Sequence, residues 1–112
     1  MSKLKTTGKP RQFDTGAQRD NADNKLRMSL VPHAALNGVM LRYIQGADTY
    51  GEDNWKKGMK HSVLYDSTMR HLMQDFTGDD SEDHLSAALW NIMGMVWNRD
   101  HKPEMDDRQK YE

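Results

Sequence analysis

Four carboxylates stand within five residues of this chain, Asp79, Asp80, Glu82 and Asp83, and two histidines bracket them, His71 before and His84 after. Oxygen donors so closely spaced suit a hard divalent cation such as Mg²⁺ or Mn²⁺, the kind of ion that escorts a triphosphate. Glu82 and Asp83 also have a plainer role, because a helix N-terminus attracts negative charge. Asp79 and Asp80, outside that logic, are the better ligand candidates. His71 follows Arg70, whose guanidinium can fork onto a phosphate. His84 and Asn91 lie seven residues apart, two helical turns, with the small residues Ala87 and Ala88 between them, so another helix or a ligand can come close to that face. Each histidine alone reads as a satisfied boundary residue; together with the acids, His71 and His84 read as a site.

A second polar stretch, Asn54-Trp55-Lys56-Lys57-Gly58, offers an amide, an indole and two ammonium groups. An indole can stack on a base, but an aromatic in a polar loop more often pins that loop to the core. Lys56 and Lys57 are the more plausible ligand contacts. The chain has no Walker loop, dinucleotide-type glycine fingerprint, His-Glu-x-x-His or nucleophile elbow.

Helices must position these groups. Leu36, Val39, Met40, Tyr43, Ile44 and Ala47 recur at steps of three and four and predict a first helix over 32–49, started by Pro32 and stopped by Gly51, with Gly38 and Gly46 weakening it modestly. A second helix over 62–76 carries the stripe Tyr65, Met69, Leu72, Met73 and Phe76, with Ser62 as N-cap and Thr77-Gly78 as its end. A third over 82–99, capped by Ser81, has one apolar face of Leu85, Ala88, Leu89, Ile92 and Val96 and a second of Trp90, Met93 and Trp97. A helix apolar on two sides is the centre of a bundle or an oligomer interface, and with three helices available both are expected.

The predicted architecture is all-α, a small bundle of three main helices. Residues 1–28 form an extended or disordered N-terminal arm whose only large apolar side chains are Leu4, Phe13, Leu26 and Met28, 29–100 the helical domain, and 101–112 a polar, extended C-terminal tail. No strand-like alternation is visible. At 112 residues with 36% apolar composition, the core is small enough to be completed by a second subunit, so a homo-oligomer is expected. A net charge of -1 gives no bulk attraction to nucleic acid or an anionic membrane. No cysteine is present, which removes disulfides and thiolate chemistry. No apolar run suggests a membrane span or secretion signal, so a cytoplasmic location is expected.

Taken in order, Thr15-Gly16-Ala17-x-Arg19-Asp20, Lys25-x-Arg27, Leu30-x-Pro32, Gly46-Ala47-x-x-Tyr50-Gly51, Asn54-Trp55-x-x-Gly58, Arg70-His71, Gly78-Asp79-Asp80 and His84-Leu85-x-x-Ala88-Leu89-Trp90-Asn91 carry a resemblance. The chain resembles a small, mostly phage-encoded family named for the N-terminal domain of dATP/dGTP diphosphohydrolases. The resemblance implies an all-α protein related to MazG-like nucleotide pyrophosphohydrolases, which use divalent metal on helix-borne carboxylates. The comparable spacings here, Asp79-x-x-Glu82 and Asp80-x-x-Asp83, overlap at one helix start.

The implied function is metal-dependent hydrolysis of purine deoxynucleoside triphosphates to dNMP and pyrophosphate, in the host cytoplasm if the chain is phage-encoded. The implied roles are Asp79, Asp80 and Asp83 to Mg²⁺ or Mn²⁺, and Arg70, Lys56 and Lys57 to phosphates. Asn54, Trp55 and Asn91 go to the nucleotide, and His71 or His84 to water activation or ligation. The alternative is a non-catalytic nucleotide- or protein-binding phage accessory protein of the same fold. A metal-dependent phosphohydrolase of the His-Asp type ranks third, because the adjacent His-Asp pair is missing.

Overall fold

The computed structural model describes residues 8–111, so the first seven residues of the expected arm, Leu4 among them, and Glu112 lie outside the described residues. The chain divides into two compact units, one ending at Pro32 and the other beginning at His33.

The first unit contains a short antiparallel hairpin of β1 (Arg11–Gln12) and β2 (Gln18–Arg19), with Arg11 opposite Arg19 and Gln12 opposite Gln18. The absence of strand-like alternation in the sequence has a simple cause: two polar residues per strand carry no readable period. The Thr15-Gly16 turn makes the hairpin instead. Gly16 adopts φ +88°, where a side chain would be strained, and donates its N–H to Phe13 O at 2.8 Å, while Phe13 N–H donates to Ala17 O at 2.9 Å. A 3-10 turn at Met28–Leu30 follows.

The second unit is all-α. Its helices are α1 (His33–Tyr50), α2 (His61–Phe76) and α3 (His84–His101), each within two residues of the boundaries expected from periodicity. The caps differ from expectation. Ser81 does not cap α3; Asp83 does, its carboxylate accepting the Ser86 N–H at 3.1 Å and the Ser86 hydroxyl at 2.5 Å. Ser81 is instead held in a turn by Asp79, whose Oδ1 accepts the Ser81 N–H at 2.8 Å. Ser62 lies inside the first turn of α2, and the C-terminal tail supplies the missing cap. Asp107 accepts the Ser62 N–H at 2.8 Å and its hydroxyl at 2.5 Å. The tail, expected to be extended, contains a 3-10 turn at Pro103–Met105.

Both α1 and α2 pack on α3. The inward faces are small and polar rather than apolar. Val39, Leu64, Ala87 and Ala88 are the buried hydrophobic residues, alongside Thr68, His84, Ser86, Asn91 and Asn98. Three of these polar side chains bond backbone carbonyls: Thr68 Oγ1 donates to Leu64 O at 2.7 Å, Asn91 Nδ2 to Ala87 O at 2.8 Å, and Asn98 Nδ2 to Met59 O at 2.7 Å. Gly38 explains itself here. A Cβ at this position would collide with Ser86 Oγ, so the glycine lets α1 approach α3. The Trp90 and Trp97 face of α3 meets an aromatic cluster, with ring centroids at 5.9 Å for Tyr43–Trp90, 6.0 Å for Tyr43–Trp55 and 4.9 Å for Trp55–Trp97. The predicted stripe of α2, from Tyr65 to Phe76, and Leu85, Ile92 and Val96 of α3 are exposed.

Candidate functional site

A cleft of about 570 Å³ opens between the C-terminal half of α1, the 51–55 loop and the inner faces of α2 and α3. Aromatic rings give it an apolar wall, Tyr43 and Tyr50 from α1, Trp55 from the loop and Trp90 from α3, while Ser67, His71 and Asn91 supply polar groups. Such a mixture suits a flat heteroaromatic ligand with a few hydrogen-bonding edges. Burial pushes the Tyr43 hydroxyl above its ordinary value, so it enters the cleft as a neutral phenol.

Beside this cleft the α2–α3 connection assembles a compact donor group. His71, near the end of α2, and His84, the first residue of α3, bring their Nδ1 atoms to 2.9 Å. Glu82 Oε1 lies 3.8 Å from His71 Nδ1, and one donor atom from each of His71, Glu82 and His84 falls within 4.8 Å of the others. These three residues can hold a metal ion. Glu82 is fixed from α1: Arg42 Nη2 donates to Glu82 Oε1 at 2.8 Å and to Asp83 O at 3.0 Å, and this bond holds the Glu82 carboxyl below its ordinary value. Desolvation pushes the His71 imidazole below its ordinary value, with Glu82 pulling the other way. The net direction favours neutral His71, the form with a lone pair to offer.

Behind His84 stands Asp79. Its Oδ1 is 3.4 Å from His84 Nε2, within ion-pair reach but out of line for a hydrogen bond, so the buried Nε2 has no aligned partner. The Ser81 hydroxyl and N–H, with a smaller contribution from His84, lower the Asp79 carboxyl to about 2, which keeps it anionic across the neutral range.

The residues picked from sequence separate into those the fold gathers and those it does not. His71, Asn54, Trp55 and Asn91 line the cleft, and His84 and Asp79 adjoin it through His71. Trp55 is wedged between Tyr43 and Trp97, which is how a pinned loop aromatic looks. Asp83 is engaged as the α3 cap, its carboxyl held low by the Ser86 hydroxyl and N–H. Asp80 and Arg70 are exposed and outside the cleft lining. Lys56 pairs with Asp53 at 3.3 Å and lies over the Trp55 ring, and Lys57 is exposed; neither lines the cleft. Sequence reasoning missed Arg42, and it counted Glu82 among the four clustered carboxylates but left it out of the metal ligands in favour of Asp79, Asp80 and Asp83. The available signal was Gly38, one turn before Arg42, since a mid-helix glycine marks the face where another element comes close.

Among the described residues no helix is long and apolar enough to cross a membrane. Comparison with curated proteins and with solved structures gave no match to either. Residues 15–108, most of the chain and all of the site, match the family described as dATP/dGTP diphosphohydrolase, N-terminal. With the helices, the aromatic cleft and the His71–Glu82–His84 group all inside that match, the chain belongs to the dATP/dGTP diphosphohydrolase N-terminal family.

Proposed function

We propose that this protein hydrolyses purine deoxynucleoside triphosphates to the monophosphate and pyrophosphate. The base would lie in the aromatic cleft and the phosphates against a divalent cation held by His71, Glu82 and His84. One observation carries this reading: His71 belongs to both features, lining the cleft while its Nδ1 sits 2.9 Å from His84 Nδ1. A nucleotide in the cleft would reach the donor group without leaving the pocket.

The residues fit a cation. Two imidazole nitrogens bound to one ion at about 2.1 Å and about a right angle stand roughly 3 Å apart, close to the 2.9 Å between these Nδ1 atoms. Without an ion, two Nδ1 atoms at that distance satisfy each other only if one carries the proton. Asp79 behind His84 Nε2 supplies the carboxylate that commonly orients a ligating histidine. Two imidazoles beside one carboxylate shift the preference away from Mg²⁺ toward Mn²⁺ or a softer transition ion. When bound, the cation would neutralise triphosphate charge and lower the pKa of a coordinated water.

The chain's own groups do the rest. Tyr43 and Trp90 hold the base, the Asn91 and Ser67 edges read its polar atoms, Arg42 keeps Glu82 ionised and in place, and Asp79 positions His84. In the hydrolysis a water oxygen bonds to the α phosphorus, the bond to the α–β bridging oxygen breaks, and pyrophosphate leaves with the electron pair. On the resemblance to a mostly phage-encoded family, this chemistry would act on the nucleotide pool of an infected bacterial cytoplasm.

A second reading, nucleotide binding without turnover, draws on the donor group itself, which offers three residues. Product analysis separates the readings. Purified protein is incubated with each dNTP and Mg²⁺, Mn²⁺ or Co²⁺. Pyrophosphate with dNMP is expected; triphosphate with free deoxynucleoside would place cleavage at the ester bond and overturn the proposal, and saturable nucleotide binding without products would leave the binding module.

A further inference from the structure

We infer that the protein is a symmetric homodimer in which the outer face of the α2–α3 hairpin packs against the same face of a second copy, completing a four-helix bundle. The starting point is an inversion of the usual pattern. In α2 the residues turned to α3 are Leu64, Thr68 and His71, and the best apolar residues, Tyr65, Leu72 and Phe76, are exposed. In α3 the buried positions are His84, Ala87, Ala88, Asn91 and Asn98, and Leu85, Ile92 and Val96 are exposed.

At about 100° per residue, the exposed stripe of α2 stands roughly a quarter turn from its contact with α3, and that of α3 about a third of a turn from its contact with α2. Because the two helices run antiparallel, both rotations lead to the same side of the hairpin. The other side carries α1 and the cleft. The stripes therefore merge into one surface, and both follow i, i+7, i+11 steps, the spacing that packs helices at a shallow angle.

The area fits a dimer. With the methionines on and beside the stripes, Met69, Met73 and Met93, this face carries nine large apolar residues that are 40% to 91% exposed. At about 200 Å² per fully exposed residue that is roughly 900 Å², against about 800 Å² per partner in a standard interface and a few hundred Å² for the largest apolar patch of a typical monomer. A second copy is the occupant that charge favours. A net charge of -1 leaves two copies without mutual repulsion, and the exposed residues near the stripes, Asp66, Arg70, Arg99 and Asp100, carry both signs, whereas an anionic membrane would need a cationic rim.

The test uses the full chain. Light scattering coupled to size exclusion at tens of micromolar should give twice the 13.0 kDa chain mass. A Leu72→Glu/Ile92→Glu variant should give a single chain mass with its helical signal kept, and Leu41→Glu on α1, also exposed, should leave the dimer intact. Should the double variant unfold, the native methionines decide. Met69 and Met40 are similarly exposed in one chain, at 47% and 51%, so peroxide oxidises them at similar rates in a monomer. In the dimer Met69 should oxidise at least about fivefold more slowly than Met40. A monomeric wild type, equal oxidation rates, or a double variant that folds and stays dimeric would each overturn the inference.

Discussion

Replacing Gly38 by alanine tests whether the α1–α3 approach governs the site. Helix propensity alone predicts a gain of about 1 kcal/mol for Gly→Ala in a helix interior. The structure predicts the opposite sign. The new Cβ would collide with Ser86 Oγ and lie 3.3 Å from both Asp83 Oδ2 and Ser86 Cβ. Ser86 cannot simply rotate away, because its hydroxyl bonds Asp83 Oδ2 at 2.5 Å as part of the α3 cap. Overpacking costs about 1–3 kcal/mol and a lost cap about 1 kcal/mol. After the propensity gain offsets the cap term, the net expectation is destabilisation by about 1–3 kcal/mol. The control is in the same helix: nothing lies within 4 Å of a Cβ at Gly46, so Gly46→Ala should stabilise by up to about 1 kcal/mol.

Urea unfolding at one protein concentration reads both midpoints at constant m-value. Adding Ser86→Ala to Gly38→Ala removes the colliding oxygen and should recover part of the loss. The displacement should also reach the donor group, since Arg42 bridges the Asp83 carbonyl and Glu82, so Gly38→Ala should weaken cation binding. If Gly38→Ala shifts the midpoint upward by as much as Gly46→Ala, the close approach of α1 to α3 is refuted, and with it the account of how Glu82 is held.

Three further outcomes follow from named contacts. Glu82→Gln should weaken Mn²⁺ or Co²⁺ binding by more than tenfold in isothermal titration, and Asp79→Asn, which reaches the donor group only through His84, by about 10-fold to 100-fold; equal affinity in both variants and wild type would remove the cation from the site. Asn98→Ala takes the donor from Met59 O and should cost about 1–3 kcal/mol in the same unfolding assay, an unchanged midpoint being the contrary result. Asp107 is held below its ordinary value by the Ser62 hydroxyl and N–H. Its folded pKa is thus below the unfolded one, so its contribution is full above the unfolded value near 4 and is lost as pH falls through the lower folded value. Asp107→Asn should flatten that acid limb of stability, and an unchanged acid limb would show that the tail does not cap α2.

The three helices were legible because apolar steps of three and four survive in each of them, while the hairpin was not, because Arg11–Gln12 and Gln18–Arg19 are too short and too polar to show a period. What periodicity could not say is which face turns inward. It marks Tyr65, Met69, Leu72 and Phe76 as one stripe of α2 but carries no information on what covers it, and α3 is met by Leu64, Thr68 and His71 instead. The same limit applies at the site. His71 and His84 stood out because the acids between them are local in sequence, whereas Arg42 is forty residues from Glu82 and only the fold makes them neighbours. Caps shifted for a related reason: Ser81 and Asp83 are both good candidates, and Asp79 decides between them by taking the Ser81 N–H for its own turn.

The inward placement of His84, Asn91, Asn98 and Thr68 is costly in a domain this small, since it leaves four hydrophobic residues buried among the described residues. A single copy with so little apolar burial has a weak claim on the 5–15 kcal/mol typical of a folded domain. Two requirements resolve the conflict. The inner face of α3 must be small and polar because it forms one wall of the cleft and begins with a donor to the cation group, and Ala87 and Ala88 let the neighbouring helices come close. The outer face then takes Tyr65, Leu72, Phe76, Leu85, Ile92 and Val96, which stabilise the chain only when covered. The proposed site and the proposed interface therefore occupy different faces of one helix. Covering the outer face should raise the unfolding midpoint with protein concentration, and saturating the inner face with Mn²⁺ should raise it further and independently; a midpoint insensitive to concentration would separate the two.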